Sequence, residues 1–265
     1  MDFKYLCSDL DGTLLSTKND VSDFTIEQFQ RLKERLKIIL VSARMPKSMT
    51  YVQDRLGISE NPLVSYNGAL VLSGERTVTN VMIPPEVLQK LYGLAESFEV
   101  KLGLYVHNEW CVEETSLRVE KETFNTKAEP FFEKTMDTLA RWGSQNLGAH
   151  KIMLMGTKMQ LDALEKPLKE QLGEALILYR SSDTFSELAP AGTSKLLGIA
   201  ALLENGHSFQ DVLAFGDNYN DLDMLATAGY GVAVGNAKNE VKDVANALTL
   251  ANTENGVAEF LKAHF

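Results

Sequence analysis

The chain has 265 residues, enough for one large core or two modest ones. Hydrophobic residues make up 45% and charged residues 23%, which excludes a disordered, fibrous or low-complexity protein. Acidic side chains outnumber basic ones by 36 to 26, and the formal charge of −10 argues against a nucleic-acid or anionic-membrane partner.

The two cysteines, Cys7 and Cys111, are too few and too far apart for a disulfide scaffold or a zinc module. No run approaches the roughly 20 apolar residues of a membrane span. The N-terminus opens into a strand-like run without the basic and apolar regions of a signal peptide, so a cytoplasmic location is expected.

Residues 3–8 form a short apolar run ended by Asp11-Gly12, which predicts a buried strand. Ile26, Phe29, Leu32 and Leu36 then recur at near-helical spacing. Residues 37–42 and 63–66 predict further buried strands, and Asn67-Gly68 interrupts the chain before 69–72 resumes. This rhythm predicts a parallel sheet with helices on both faces. It returns late in the chain: helices over 193–205, 221–228, 239–246 and 256–263 alternate with strands over 212–215, 231–234 and 247–250.

The middle differs. The pattern predicts a helix over 86–98, a hairpin from 102–107 and 110–114, and a helix over 131–142. A strand over 150–155, a helix over 158–172, and strands over 176–181 and 184–188 follow. Hairpins mixed with helices predict an α+β unit over 84–187, inserted into a parallel-sheet domain made of 1–83 and 188–265. The expected class is α/β, a Rossmann-like core with an inserted α+β domain.

Asp9-Leu10-Asp11-Gly12-Thr13 places two carboxylates at the carboxyl end of the first strand, where open α/β sheets bind ligands. Gly216-Asp217-Asn218-Tyr219-Asn220-Asp221 repeats that geometry after a later strand. Together the loops bring Asp9, Asp11, Asp217 and Asp221 to one rim, and such mutually repelling carboxylates suit a hard cation, Mg²⁺ better than Ca²⁺.

In these motifs the chain resembles the haloacid dehalogenase superfamily, specifically its Cof-type phosphatases. The likeness extends through Val41-Ser42-Ala43-Arg44, Tyr66-Asn67-Gly68-Ala69, Gly192-Thr193-Ser194-Lys195, Gly231-Val232-Ala233-Val234-Gly235-Asn236-Ala237 and Asn255-Gly256-Val257-Ala258. The resemblance implies that Asp9 is the nucleophile and Asp11 the acid/base. It implies phosphate contacts from Leu10, Ser42, Ala43, Lys195 and Asn220. Mg²⁺ would be held by Asp9, Asp217 and the Asp11 backbone carbonyl, with Asp221, Arg44 and Asn67 in support. The inserted unit resembles this branch's α/β cap, with Tyr105, His107, Trp110 and Arg180 as candidate substrate contacts.

Two departures stand out. Ser42-Ala43-Arg44 replaces the usual Thr-Gly-Arg, and Ala43 makes any left-handed backbone there costlier than glycine would. Thr193 stands where valine is usual. The expected activity is hydrolysis of small phosphorylated metabolites through an aspartyl-phosphate. A phosphomutase or a non-catalytic phosphometabolite-binding protein is the alternative. Hexose phosphates, flavin mononucleotide or its ribityl precursor, and pyridoxal phosphate are all candidate substrates. A monomer is a plausible state.

Overall fold

The computed structural model describes residues 2–17 and 19–265. The first stretch runs β1 (Tyr5–Asp9), α1 (Asp23–Leu32), β2 (Lys37–Val41), α2 (Lys47–Leu56), β3 (Leu63–Ser65), β4 (Leu70–Ser73) and β5 (Arg76–Asn80). Ser22 caps α1 by accepting the Thr25 N–H at 3.1 Å, a bond worth about 1 kcal/mol to a helix end. β2 reads Lys-Ile-Ile-Leu-Val, and the last four side chains are wholly buried, as in a strand covered on both faces.

The chain continues through α3 (Pro85–Ser97), β6 (Lys101–Val106), β7 (Glu109–Val112), α4 (Leu117–Thr126), β8 (Phe131–Phe132) and α5 (Thr135–Ser144). Then come β9 (Lys151–Met155), α6 (Lys158–Leu172), β10 (Leu176–Ser182) and β11 (Phe185–Pro190). It closes with α7 (Lys195–Ala200), β12 (Val212–Gly216), α8 (Leu222–Thr227), β13 (Tyr230–Ala233), α9 (Asn239–Val244), β14 (Ala247–Leu248) and α10 (Gly256–His264).

These elements divide into two compact units, residues up to Asn80 with Ser194–Phe265, and Val81–Thr193. The expected divisions at 83/84 and 187/188 therefore move outward. Ile83 pairs with Ala149, and β11 runs on to Pro190, so both flanks belong to the inserted unit.

The first unit holds an eight-stranded sheet in the order β14-β13-β12-β1-β2-β3-β4-β5. Its first six strands are parallel, but β4 and β5 are antiparallel, because the turn at Tyr66–Gly68 doubles the chain back beside β3. α1 packs against α2 and α10, while α8 packs against α7 and α9. β1 lies between β2 and β12, so residues just beyond its carboxyl end meet loops from both parts of the chain.

The inserted unit holds a six-stranded sheet in the order β10-β11-β9-β6-β7-β8, antiparallel except for β7 beside β8. Leu102, Leu104, Ile152, Leu154 and Leu188 join Leu88, Leu91, Leu139, Leu161 and Leu164 in its apolar core. The helix expected over 131–142 begins only at Thr135, since Phe131 and Phe132 pair with Cys111 and Val112.

Candidate active site

β1 delivers Asp9 to the rim almost fully buried, and the chain then turns sharply through Leu10–Leu14. Gly12 makes that turn possible: its φ is +81°, and a Cβ there would lie 2.6 Å from Asp217 Oδ2. Thr13 Oγ1 donates to Asp217 Oδ1 at 2.9 Å, and Asn236 Nδ2 donates to the Gly12 carbonyl at 2.8 Å. The turn is thus tied to the loops after β12 and β13. Leu10, a candidate phosphate contact, has a wholly buried side chain, so any contact it makes is through its backbone.

Lys195, at the start of α7, is the central cation. Its Nζ donates to Asp9 Oδ1 at 2.6 Å and to Asp221 Oδ1 at 2.7 Å. Side-chain exposure is 1% for Lys195, 6% for Asp9 and 0% for Asp221, so these charges interact with little water between them. Asp221 also accepts the N–H groups of Asp217 and Asn218, each at 3.1 Å, through Oδ2. Both its oxygens are therefore engaged in fixing Lys195 and the loop.

Among the described residues, Asp9, Asp217 and Asp221 offer carboxylate oxygens within 4.8 Å of one another. The Asp11 carboxyl stands outside that group. It is gripped by Arg44, whose Nε and Nη2 each donate to one oxygen at 2.7 Å. The Arg44 side chain is 3% exposed and that of Asp11 53%, so a buried guanidinium steadies an acid that water still reaches. Arg44 is thus a buried partner of Asp11 and not a surface ion pair.

Burial drives Asp9 well above the ordinary aspartate range; Lys195 opposes this, and the charges of Asp221 and Asp217 reinforce it. Burial likewise lifts Asp217 to about 6, with Asp221 adding and the Thr13 hydrogen bond opposing. Burial alone would lower Lys195, but Asp221 and Asp9 outweigh it and keep the ammonium charged. Three carboxylates face one ammonium. That surplus of buried hard oxygen charge fits a divalent cation, and with Asp221 occupied, Asp9 and Asp217 are its natural ligands.

Ser42 follows β2 and is buried, its Oγ accepting the Arg44 N–H at 3.1 Å. Ala43 does not adopt a positive φ, so alanine bears no left-handed cost here. The left-handed residues lie next door: Tyr66, Asn67 and Gly68 have φ of +51°, +54° and +93°. Asn220 Nδ2 donates to Asn67 Oδ1 at 3.0 Å. Thr13 and Asn236 are the site residues that sequence reasoning passed over. Both stand inside quoted motifs, and only their hydrogen bonds single them out.

The four candidate substrate contacts of the inserted unit do not converge. Tyr105 and Trp110 are buried and stacked, with ring centroids 5.3 Å apart and planes 7° apart. Leu104 and Val106 join the core beneath the helices, so Tyr105 points to the opposite face of the sheet. Arg180 lies on the helical face, where it bonds Asp162 of α6 and the carbonyls of Ser182 and Asp183. His107 is exposed at the β6–β7 turn, its ring 4.9 Å from that of His150.

A family model described as haloacid dehalogenase-like hydrolase matches residues 6–261. A putative phosphatase of Haemophilus influenzae is 32% identical over 100% of this chain and 99% of its own. A Bacillus subtilis 5-amino-6-(5-phospho-D-ribitylamino)uracil phosphatase is 28% identical over 97% of this chain and 96% of its own. The crystal structure of a haloacid dehalogenase-like hydrolase from Bacteroides thetaiotaomicron superposes with a TM-score of 0.90 at 31% identity, covering 99% of this chain and all of that one.

Proposed function

This chain belongs to the haloacid dehalogenase-like hydrolases, as a phosphomonoesterase among them, and we propose that it is Mg²⁺-dependent and works through an aspartyl-phosphate on Asp9. The observation that carries this reading is the buried Asp9–Lys195–Asp221 array beside Asp217. In it, Asp9 Oδ attacks phosphorus and the ester oxygen leaves. Water then attacks the acyl-phosphate, returning Asp9 and releasing inorganic phosphate.

Asp11 protonates the departing oxygen and later takes a proton from the attacking water, with Arg44 aiming its carboxyl. Lys195 offsets the negative charge of the phosphoryl oxygens, while Ser42, Asn220 and backbone N–H groups near Leu10 and Ala43 hold them. A divalent cation on Asp9, Asp217 and the Asp11 carbonyl would supply the remaining charge neutralisation. The residues themselves do the positioning: Asp221 orients Lys195, and Thr13 orients Asp217.

The substrates proposed are small phosphorylated metabolites. The ribityl phosphate in the name of the Bacillus relative makes phosphorylated polyols and sugars the first to try. Selectivity is assigned to the inserted unit, 81–193. The test is release of inorganic phosphate from p-nitrophenyl phosphate and a panel of metabolite esters, before and after chelation. Turnover that vanishes with chelator and returns with Mg²⁺ is expected. No release from any ester, or release indifferent to chelator, would sink the reading.

A further inference from the structure

Three consecutive residues with left-handed backbone, two of them carrying side chains, are costly in a buried place. Between them its members brace the loop after β2, the start of α7 and the loop after β12. The Tyr66 N–H donates to the Arg44 carbonyl at 3.1 Å, and the Asn67 N–H donates to the Ser42 carbonyl at 2.9 Å. Gly68 lies so near α7 that a Cβ there would stand 2.2 Å from the Ser194 carbonyl oxygen. The side chain of Asn67, itself 7% exposed, accepts from Asn220.

Glycine would serve this turn better if only the turn mattered. The bonds to Ser42 and Arg44 use main-chain N–H groups that glycine also provides, and glycine adopts positive φ freely. What asparagine adds is an oxygen acceptor at a fixed point. A side-chain amide has two ends of opposite polarity and similar shape. Turned one way, Asn220 offers N–H to an anion; turned the other, it offers an oxygen that repels it. If Asn220 turned alone it would set its own oxygen against Asn67 Oδ1, so the bond couples the two amides and holds Asn220 the first way round for as long as Asn67 keeps its oxygen toward it.

We propose that Asn67 is a positioning residue that fixes the flip of the Asn220 amide, so that its second N–H is presented to a phosphoryl oxygen in the site. The inference rests on the phosphatase reading above. It makes the strained turn part of the phosphate-binding apparatus: Tyr66 and Asn67 set the Ser42 loop by their backbone, and Asn67 sets the Asn220 loop by its side chain.

The test is a double-mutant cycle of wild type, Asn67→Gly, Asn220→Ala and the double variant. It is read by calorimetric binding of inorganic phosphate in excess Mg²⁺ and by kcat and KM for p-nitrophenyl phosphate. Asn67→Gly is expected to weaken phosphate binding about tenfold, as loss of one aligned hydrogen bond to an anion does. KM should move more than kcat, with the melting temperature held. In the Asn220→Ala background the same change should have no further effect beyond about twofold. Unchanged phosphate affinity in Asn67→Gly, or a full additional loss in the double variant, overturns the proposal. Should Asn67→Gly not fold, Asn67→Asp, which tolerates positive φ and can only accept, stands in: Asn220→Ala should then weaken phosphate binding in its background as it does in wild type, and no effect there overturns the proposal. A wild type that binds phosphate but hydrolyses no ester overturns the phosphatase reading instead, and the binding cycle still decides the role of Asn67.

Discussion

Each unit of this protein buries a lysine between two carboxylates, and the two lysines are not equivalent. Lys195 lies 2.6 and 2.7 Å from Asp9 and Asp221, with Asp217 close by. Lys151 lies 3.1 Å from Glu187 and 3.8 Å from Glu122, and its Nζ sits 4.5 Å from the Tyr105 ring centroid. Glu187 keeps 20% of its side chain in solvent, whereas Asp221 keeps none. In the inserted unit Arg118 also pairs with Glu122, at 2.9 Å, so two cations meet two carboxylates and the cluster balances. In the first unit the surplus of negative charge is sealed in, and Asp9 answers by holding its proton more tightly than aspartates usually do. The balanced cluster leaves no charge to be met, whereas the unbalanced one is the candidate cation site.

The comparison breaks most sharply at Asp9. Asp9→Asn keeps the shape but removes the attacking oxygen anion, and phosphate release should fall by on the order of 10⁴–10⁶. Folded Asp9→Asn protein that retains more than a few per cent of turnover would exclude an aspartyl-phosphate.

Asp11→Asn should slow turnover by roughly 10²–10⁴, the usual worth of a general acid–base. In a single-turnover burst, p-nitrophenyl phosphate should suffer less than a sugar phosphate, because its leaving group needs no proton. Equal slowing of both would argue that Asp11 is not the acid.

The lysines themselves offer the next contrast. Lys195→Met strands two buried carboxylates, so all esters should lose turnover together, with a stability loss of about 3–5 kcal/mol. Lys151→Met should cost about 2 kcal/mol by thermal melt and leave p-nitrophenyl phosphate hydrolysis within roughly threefold. If Lys195→Met spared some esters strongly, the separation between the clusters would collapse.

The imbalance also has a pH signature. Asp217 releases its proton at about 6 when folded, against 3.8 for an ordinary aspartate. Over that window the folded, metal-free protein holds a proton that the unfolded chain has lost, so its stability falls as pH rises from 3.8 to about 6. Melting curves in chelator should show this decline, flattened in Asp217→Asn, and Mg²⁺ should bind more tightly as pH climbs through the same range. A metal-free melting temperature indifferent to Asp217→Asn would contradict the assignment. The smallest effect is expected from Trp110→Leu, which should reorder kcat/KM among metabolite esters by a few-fold and hardly touch p-nitrophenyl phosphate. An unchanged rank order would remove the stacked pair from selectivity.

Much of this was legible in the residues. The apolar runs of β1, β2 and β12 and the acidic turns after β1 and β12 point to Asp9, Asp11, Asp217 and Asp221 at one rim; the structure gathers Asp9, Asp217 and Asp221 and turns the Asp11 carboxyl to Arg44. Where the pattern failed, burial ran against hydrophobicity. α4 turns Val119, Glu122 and Thr126 inward while Leu117 and Phe124 stay in solvent, so its apolar period marks no inward face. α2 buries Ser48 and Gln53 among its apolar residues. The antiparallel return into β4 depends on backbone handedness at Tyr66, which no hydropathy pattern carries. The grip of Arg44 on Asp11 is a contact across loops, visible only once the chain has folded.

The central place of β1 bears on how the protein is made. Tyr5 pairs with Lys37 on one side, but on the other it waits for Val212. At ribosomal rates of roughly 5–20 residues per second, that edge of an apolar strand stays open for about 10–40 s of synthesis. Val81–Thr193 is contiguous and emerges whole in the interval, free to fold while the first unit remains half-built. The nascent chain thus carries an exposed strand edge, the kind of surface that pairs with other chains. The ionic cluster at its tip is completed only when Lys195 and Asp221 arrive, so the site and the sheet that bears it close in the same late step.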